Sequence, residues 1–478
     1  MNNTASHLRN VSLLILLSAV VCVPFADFEI TAPDFWGELA LIGHAALNPE
    51  VISWTELLVA LANTLSFAFQ GVALGAMTGF LLALAYRFSI VRSISAFLRA
   101  IHELFWALIF IQVAGLSSLT GLLALAIPYA GTFAKVFGEI FEETNKAPAK
   151  AIRNGGLSGF LYTTLPLAWK RIVDYTGYRF ECGIRSSAVL GFVGLPTLGF
   201  YMETLFKQGE YSQAMAMLYA LFVVIGSARL WLKRKLLPFY IVAAFIWLPP
   251  TADISWLLVW QFFTYDIVPA PLRTGYGDLS AWLWMLLSRQ AVPGVVNTVL
   301  LTQISLAATL LLSLVLFPFH SKLFAGKSKI LGHGLLVVMR TTPEYLLAFL
   351  GVIVIGPSML PGIFALGVHN AGILAHLIGR YVDEFKLRDD APRGMLLYLY
   401  EVLPRVYKQF LALLLYRWEV IQRESAILGI LGISTLGFYI DSAFEELRMD
   451  RAFVLILITA LLNIGTDALA RYLRNRNV

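Results

Sequence analysis

Two copies of one polar pattern hold the side chains best suited to bind an anion. The stretch YRFECGIRSSAVLGFVGLPTLGFY begins at Tyr178, and YRWEVIQRESAILGILGISTLGFY begins 238 residues later at Tyr416, with 14 of 24 positions identical. Each copy keeps Arg, Glu and a second Arg at the same spacing. A guanidinium group offers paired donors to carboxylate or phosphoryl oxygens. The repeated arginines therefore point to anion binding, although a Glu between them would repel an anion if it were unpaired.

The rest of the chain is too apolar for a soluble domain. Hydrophobic residues make up 58% of the sequence, charged residues make up 14%, and the mean hydropathy is +0.74. These values predict an integral membrane protein, and 478 residues are enough for roughly a dozen helices of about 20 residues. The Lys and Arg residues fall in short clusters between apolar runs, as the positive-inside rule expects, so the net charge of +6 does not indicate nucleic-acid binding. Cys22 and Cys182 lie in apolar runs and are interpreted as packing residues.

Charge patterning predicts the topology. Residues 1–25 have the features of both a signal peptide and a first membrane anchor, and we favour an uncleaved anchor. Residues 27–50 contain five acidic residues and no Lys or Arg, so we expect them on the non-cytoplasmic side. Basic clusters then follow the second, fourth and sixth apolar runs and predict six crossings before about residue 236. Basic clusters recur in the same way in the second half. Both termini and the junction near residue 236 are expected in the cytoplasm.

The internal repeat extends over most of the sequence. Arg99 and Glu103 correspond to Arg340 and Glu344 at an offset of 241, and Thr64 corresponds to a second Thr at an offset of 234. We therefore predict an all-α integral membrane protein of about 12 transmembrane helices in two parallel, pseudo-symmetric six-helix halves, 1–236 and 237–478. Two such halves facing each other would enclose a path.

Charged residues are expected inside the membrane in both halves. If one helix starts near residue 168, its three charged residues lie roughly 15 to 25 Å along it. Such residues avoid lipid and mark either a pathway or i,i+4 pairs that neutralise each other. The candidate path residues are Arg99, Glu103, Arg179, Glu181, Arg185, Arg340, Glu344, Arg417, Glu419 and Arg423.

Three blocks of the first half resemble the permease subunits of type I ATP-binding-cassette importers, in particular the phosphonate and phosphite branch. They are RAIHELFWALIF from Arg99, YAGTFAKVFGEIFEE from Tyr129 and YRFECGIRSSAVLGFVG from Tyr178, and the second half has weaker counterparts of all three. Because permeases of this family usually pair as separate chains, the resemblance implies two permease copies fused in one polypeptide, with the fold of a type I importer.

The resemblance also implies two cytoplasmic coupling loops, at about 144–166 and 385–404, that dock on the ATPase subunits. Both end in Leu-Pro, as the family's loop does, but they lack its Glu and are shorter between their Gly and Pro. The alternative is an ordinary cytosolic hairpin. The residues assigned to coupling are Lys150, Arg153, Gly156, Pro166, Arg393, Gly394 and Pro404.

The sequence does not favour an enzyme. AGKSK from Ala325 lacks the earlier Gly of a phosphate loop, and the seven His residues show no convincing metal spacing, so no catalytic or metal site is assigned. His102 is interpreted as a packed residue, with a protonatable gate as the alternative. A secondary transporter of major-facilitator-like architecture is the rival function.

The resemblance further implies the partners and the location. Two ATPase subunits would use ATP and Mg while this chain binds no cofactor, and a soluble binding protein would deliver a small anion, with phosphonate or phosphite as the best guess. The chain would lie in a bacterial inner membrane.

Overall fold

A computed structural model describes residues 2–144, 156–275, 277–388 and 390–475. Every regular element in these ranges is a helix, and no strand occurs in them. The prediction of an all-α chain is confirmed for this part of the sequence.

The described chain forms two compact units. The first-copy unit is Leu41–Tyr265, and the second-copy unit combines Met1–Ala40 with Asp266–Val478. Helix α1 (Asn2–Cys22) belongs to the second-copy unit, and α2 (Phe35–Leu47) crosses the boundary. The main helices of the first-copy unit are α3 (Trp54–Leu84), α4 (Ser89–Ala100), α5 (Glu103–Ala114), α6 (Ser118–Glu143), α7 (Leu165–Val189), α8 (Leu198–Lys207), α9 (Tyr211–Gly226), α10 (Leu237–Trp247) and α11 (Trp256–Gln261).

The second-copy unit repeats much of this order. Its main helices after α11 are α12 (Leu279–Leu286), α13 (Val292–His320), α14 (Lys329–Thr341), α15 (Glu344–Ile355), α16 (Met359–Val382), α17 (Leu403–Glu424), α18 (Leu436–Glu445) and α19 (Met449–Asn475).

The units differ from the expected halves at both ends. Helix α1 packs on the second copy, where the Ser12 hydroxyl lies 2.6 Å from the Tyr407 hydroxyl. Helix α10, just after the expected boundary at residue 236, packs on the first copy, where Gln70 Nε2 donates to the Ala244 carbonyl at 2.8 Å. Sequence repetition identifies homologous segments, but hydrogen bonds and packing determine which segments fold together.

Six described helices are long and apolar enough to cross a membrane, and the number rises to nine if each of three bent helix pairs counts as one span. The chain is therefore a multi-pass membrane protein. The expected twelve crossings are not confirmed, because helices such as α2 and α9 are apolar but shorter than the about 20 residues that a bilayer requires.

Small residues line the contact between α3 and α6 in the first copy. Gly71, Gly75 and Gly79 on α3 face α6, where an added Cβ on Gly75 would lie 2.7 Å from Tyr129 Cβ. Small residues four apart allow helix backbones to approach closely in a membrane. At the offset of 234 the second copy has small hydroxyl residues instead, all of them fully buried: Ser305, Thr309 and Ser313. Helices α6 and α16 also carry Tyr129 and Asn370, which contact Arg179 and Arg417.

Candidate functional site

A sharp bend in each copy brings an Arg and a Glu to a helix break. Helices α4 and α5 meet at 88°, and α14 and α15 meet at 85°. Arg99 lies in the last turn of α4, and Glu103 begins α5. Arg340 and Glu344 have the same places at the second bend. A cation at a helix C-terminus and an anion at an N-terminus both interact favourably with the helix dipole, so these charges stabilise the broken ends.

A histidine faces the Glu at each bend. His102 Nε2 lies 3.8 Å from Glu103 Oε2, and His369 Nε2 lies 3.6 Å from Glu344 Oε2. Both His residues are buried. They do not occupy equivalent positions, because at the offset of 241 the first corresponds to Pro343 and the second to Pro128. The two copies thus build the same His–Glu pair from exchanged His and Pro positions.

The hydrogen bonds of the two imidazoles determine which ring nitrogen carries the proton. His102 Nδ1 accepts from the Leu104 N–H at 3.2 Å, which leaves its proton on Nε2, towards Glu103. His369 Nδ1 lies 2.9 Å from the Thr342 carbonyl and must donate to it. The facing Nε2 and carboxylate oxygen of the second pair are both acceptors unless one holds a proton, so this pair is stable with one added proton. The first pair therefore offers an N–H to its carboxylate and keeps one negative charge, whereas the second pair is neutral once it holds the added proton.

The first Arg of the repeated polar pattern contacts the same position of the repeat in both copies, but the residue type at that position differs. Arg179 Nε donates to the Tyr175 hydroxyl at 2.7 Å, and its guanidinium lies 5.1 Å from the ring centre of Tyr175 and 6.0 Å from that of Tyr129. Arg417 Nε donates to Asn370 Oδ1 at 2.6 Å. Asn370 corresponds to Tyr129 at the offset of 241. The first arginine is therefore enclosed by aromatic rings, while the second is held by an amide.

One donor of Arg417 is left over. Its Nη2 is buried and has no hydrogen-bond partner within the described residues. A buried donor without an acceptor carries a desolvation penalty of about 1–3 kcal/mol or more when it is charged. An acceptor that enters from outside the chain would remove this penalty.

The other charges of the repeated pattern are half-buried on α7 and α17, among them Glu181, Arg185, Glu419 and Arg423. On α7, Asp174 forms an ion pair with Arg234. At 1.5 Å per residue, Arg179 lies about 7 Å and Arg185 about 16 Å beyond Asp174. The depth of these charges in the membrane stays a prediction.

The second copy adds a buried carboxylate that we did not predict. Glu424 is buried, whereas the equivalent position of the first copy is Ser186, whose hydroxyl lies 3.4 Å from that of Tyr129. The neighbouring Gln422 accepts from the Thr302 hydroxyl at 2.9 Å. Residue-by-residue comparison of the repeats would have found this difference, because it replaces a small hydroxyl with a charge.

Each coupling segment contains a π-helical turn directly before its Leu-Pro. The turns are Phe160–Thr164 and Leu397–Val402. Each turn exposes a Leu-Tyr pair, and the two pairs occupy equivalent positions of the repeat. The tyrosines, Tyr162 and Tyr400, are 79% and 74% exposed. A π-turn inside an α-helix commonly marks a functional site. The exposed Leu-Tyr pairs were missed in the sequence because they look like ordinary apolar residues.

The structure describes five of the seven residues assigned to coupling. Lys150 and Arg153 lie outside the described residues. Gly156 and Gly394 both have positive φ angles, +30° and +62°, and each precedes the π-turn of its segment. The remaining assigned residues, Arg393, Pro166 and Pro404, are exposed, and each Pro lies in the first turn of its helix, where it needs no hydrogen-bond donor.

The comparisons with known proteins identify permease relatives and are consistent with the internal duplication. A phosphate-import permease protein, PhnE, of Mycolicibacterium smegmatis is 26% identical over 428 residues, which cover 82% of this chain and 78% of that protein. A phosphite transport system permease protein, PtxC, of Stutzerimonas stutzeri is 27% identical over 199 residues, 39% of this chain and 72% of that protein. No family model matches the sequence.

A third relative is more similar over a shorter range. The permease protein PhnE2, assigned to a cryptic phosphonate transport system of Escherichia coli strain K12, is 30% identical over 108 residues, 22% of this chain and 88% of that protein. The alignment of 428 residues with the mycobacterial protein is longer than either repeat copy and must run through both. The secondary-transporter alternative is not favoured by these relatives.

Proposed function

This chain belongs to the phosphonate and phosphite permease family of ATP-binding-cassette importers, and from that premise we propose that it conducts a small phosphorus oxyanion into the cell. The three relatives are named for phosphate, phosphite and phosphonate transport. All three anions present tetrahedral phosphorus with several acceptor oxygens. We propose recognition of that shared group rather than of one member.

The observation that carries the proposal is the unused donor of Arg417. Its Nε is fixed by Asn370, so the guanidinium plane has a set orientation, and its buried Nη2 has no acceptor within the described residues. A phosphoryl oxygen is a suitable acceptor because charge-assisted bonds to guanidinium are short and strong. Arg417 would therefore contact the anion during its passage.

The first-copy arginine would have a different role. Arg179 is surrounded by Tyr175 and Tyr129, and these rings share its charge through cation–π interaction. An arginine whose charge is already shared binds an anion more weakly. We propose that Arg179 supplies positive potential to the path, whereas Arg417 makes a directional contact. The other candidate path residues remain part of this proposal.

The carboxylates near the bends would otherwise oppose an anion. Glu103 and Glu344 each face a histidine, and an added proton on the second pair removes its net charge. The second His–Glu pair would thus lower the repulsion of an oxyanion without removing the groups that stabilise the helix end.

The coupling segments would transmit ATP-driven motion to the path. Each exposes a Leu-Tyr pair on a π-turn that continues directly into the helix carrying the arginines, α7 or α17. A stiff helix moves as a unit, so a push on the exposed tyrosine would shift the arginine on the same helix. We propose that two ATPase subunits, which use ATP and Mg, bind the two segments.

The complete assembly would include two further features. A soluble binding protein would deliver the anion, and the two permease copies would act as two fused halves with one path. The chain would lie in the inner membrane of a bacterium with both termini in the cytoplasm, as the charge distribution predicts.

Co-purification tests this proposal. The chain is extracted in mild detergent from cells that express its own partners, and the co-eluting proteins are identified by mass spectrometry. We expect an ATP-binding-cassette ATPase in a two-to-one ratio with the chain. Isolation of the chain alone, with uptake that follows a proton gradient and ignores ATP, would contradict it.

A further inference from the structure

Three histidines of the second copy meet near one end of the helices. His320, His333 and His376 each offer a ring nitrogen, and these three atoms lie within 4.8 Å of one another. The residues come from three different helices, α13, α14 and α16. We call this set the three-histidine cluster. None of its members belongs to the proposed path or to the coupling segments.

Close helix contacts build the cluster. An added Cβ on Gly332, beside His333, would lie 2.0 Å from the Phe319 carbonyl oxygen, beside His320. An added Cβ on Gly379 would lie 3.0 Å from His320 Cβ. The glycines therefore allow α14 and α16 to approach α13 where the histidines project.

An ionic contact fixes the same three helix ends. Asp383, which follows α16, accepts from the Ser321 hydroxyl at 2.9 Å, from the Lys322 N–H at 2.7 Å and from the Lys329 ammonium. Burial raises the pKa of the Asp383 carboxyl, but these hydrogen bonds lower it by more, so its pKa lies below the ordinary value. The carboxylate thus joins the end of α13, the start of α14 and the end of α16, directly next to the cluster.

The buried nitrogens of the cluster need partners. Both ring nitrogens of His320 and Nδ1 of His376 are buried and have no hydrogen-bond partner in the described part of the chain. The rings stack, with centres 4.5 Å apart for His320 and His376 and 5.1 Å apart for His320 and His333. Two adjacent imidazolium cations would repel each other, so the arrangement favours neutral rings with free lone pairs, the form that binds metals.

We propose that the three-histidine cluster binds a transition-metal ion of the Zn²⁺ class. Three imidazoles and one open position form a known type of zinc coordination, with Zn–N bonds of about 2.0–2.1 Å. A tetrahedral site of that size sets its nitrogens about 3.4 Å apart, so the nitrogens would move closer and the stacked rings would turn until their lone pairs converge on the ion. His333 is more solvent-accessible than the other two and provides the entry point.

The type of ligand atom, rather than the nearby charges, determines which ion the cluster would bind. Lys329, Arg340 and Arg380 act on the cluster electrostatically, and Asp383 is the nearby carboxylate. The three cations oppose every divalent ion alike, whereas the imidazole ligands exclude Mg²⁺ and Ca²⁺, which require oxygen ligands, and leave ions that gain their affinity from nitrogen. The metal would bind by coordination rather than by general attraction to negative charge.

The first copy provides an internal comparison. At the offsets of the repeat, His320 corresponds to Tyr86, His333 to Arg92 and His376 to Lys135. The packing is nevertheless retained, since an added Cβ on Gly138 would lie 2.5 Å from the ring of Tyr86, as Gly379 lies against His320. The fold of these helices does not require histidine, so the cluster is a property added to the second copy.

Metal titration of the intact chain in detergent tests the inference, with a purification tag that contains no histidine. Zn²⁺ should bind with a stoichiometry of about one, and His333→Asn should weaken binding by more than the about 10–100-fold that loss of a supporting group causes at metal sites. His44→Asn, which changes an exposed histidine on α2, is the control and should bind as the unaltered chain does. Equal Zn²⁺ affinity in His333→Asn would overturn the site.

A second measurement needs no variant. Co²⁺ added to the unaltered chain should produce the intense visible absorption of a tetrahedral nitrogen site, and Zn²⁺ should abolish it. Weak absorption typical of octahedral Co²⁺ would contradict the inference. Neither experiment requires ATPase, binding protein or oxyanion, so the outcome is independent of the proposed transport function.

Discussion

Replacing Tyr400 with alanine should weaken binding of the ATPase subunit while leaving the permease fold intact. The side chain is 74% exposed on the π-turn before Pro404, so its removal leaves no cavity in the described structure. Tyr162 has the equivalent position and is 79% exposed. The two tyrosines are the largest exposed side chains of the two segments and are the expected anchors for a docking groove.

The size of the effect follows from the exposed area. A buried tyrosine side chain covers about 150–250 Å², so covering three quarters of one removes about 150 Å² from water. At about 25 cal/mol per Å², the contribution of this tyrosine to the binding free energy has a ceiling of about 4 kcal/mol. Ordering of side chains on association lowers this value. We expect about 2 kcal/mol, which corresponds to about a 30-fold increase in the dissociation constant.

The assay is binding of the purified ATPase subunit to the chain in lipid nanodiscs. Tyr400→Ala and Tyr162→Ala should each weaken binding and reduce ATP-driven uptake, with unchanged melting of the chain. Trp36→Ala is the control, because Trp36 is 75% exposed but lies in the acidic segment predicted on the opposite side of the membrane. Unchanged ATPase affinity in both tyrosine variants would refute the reasoning.

Three further predictions concern the path and the topology. Arg417→Lys keeps the charge but loses the planar donor pair, so KM for the oxyanion should rise by about 10–100-fold in uptake assays. This rise is equivalent to the loss of one charge-assisted hydrogen bond of about 1.5–3 kcal/mol. An unchanged KM would exclude direct contact. Arg185→Gln should lower uptake, and adding Glu181→Gln should not restore it; recovery in the double variant would show that the two residues only neutralise each other. On a background without native cysteines, a cysteine placed near Glu38 should react with an impermeant thiol reagent from outside and one beside Arg234 should not, and the reverse pattern would invert the orientation.

The class of the protein and its duplication were predictable because they depend on properties that sequence displays directly. Apolar composition excludes a soluble fold, and identical spacing of Arg and Glu identifies the two copies. The bends were not predicted: charged residues interrupt the apolar runs near His102 and Pro343, but hydropathy does not give an 88° or 85° change of direction. The count of about twelve crossings from apolar runs stays a prediction, because six to nine described helices or helix pairs meet the criteria for a span.

The positions of charged residues were easier to predict than their partners. The sequence placed Arg179 and Arg417 on equivalent helices, but their different surroundings depend on Tyr129 and Asn370, about 50 residues away. The same holds for the three-histidine cluster, whose members have no characteristic spacing and meet only because glycines let three helices approach. The exchange of His and Pro at the two bends also requires three-dimensional contacts before it can be seen.

Transport by the reconstituted assembly tests the central claim most directly. The chain, with its co-purifying ATPase and binding protein, is placed in liposomes, and uptake of radiolabelled phosphate, phosphite and methylphosphonate is measured with and without ATP, with sulfate as the competing oxyanion. Our account predicts ATP-dependent accumulation of at least one phosphorus oxyanion, little competition by sulfate, and loss of accumulation in Arg417→Gln. ATP-independent uptake, or ATP-dependent uptake of none of the three, would contradict it.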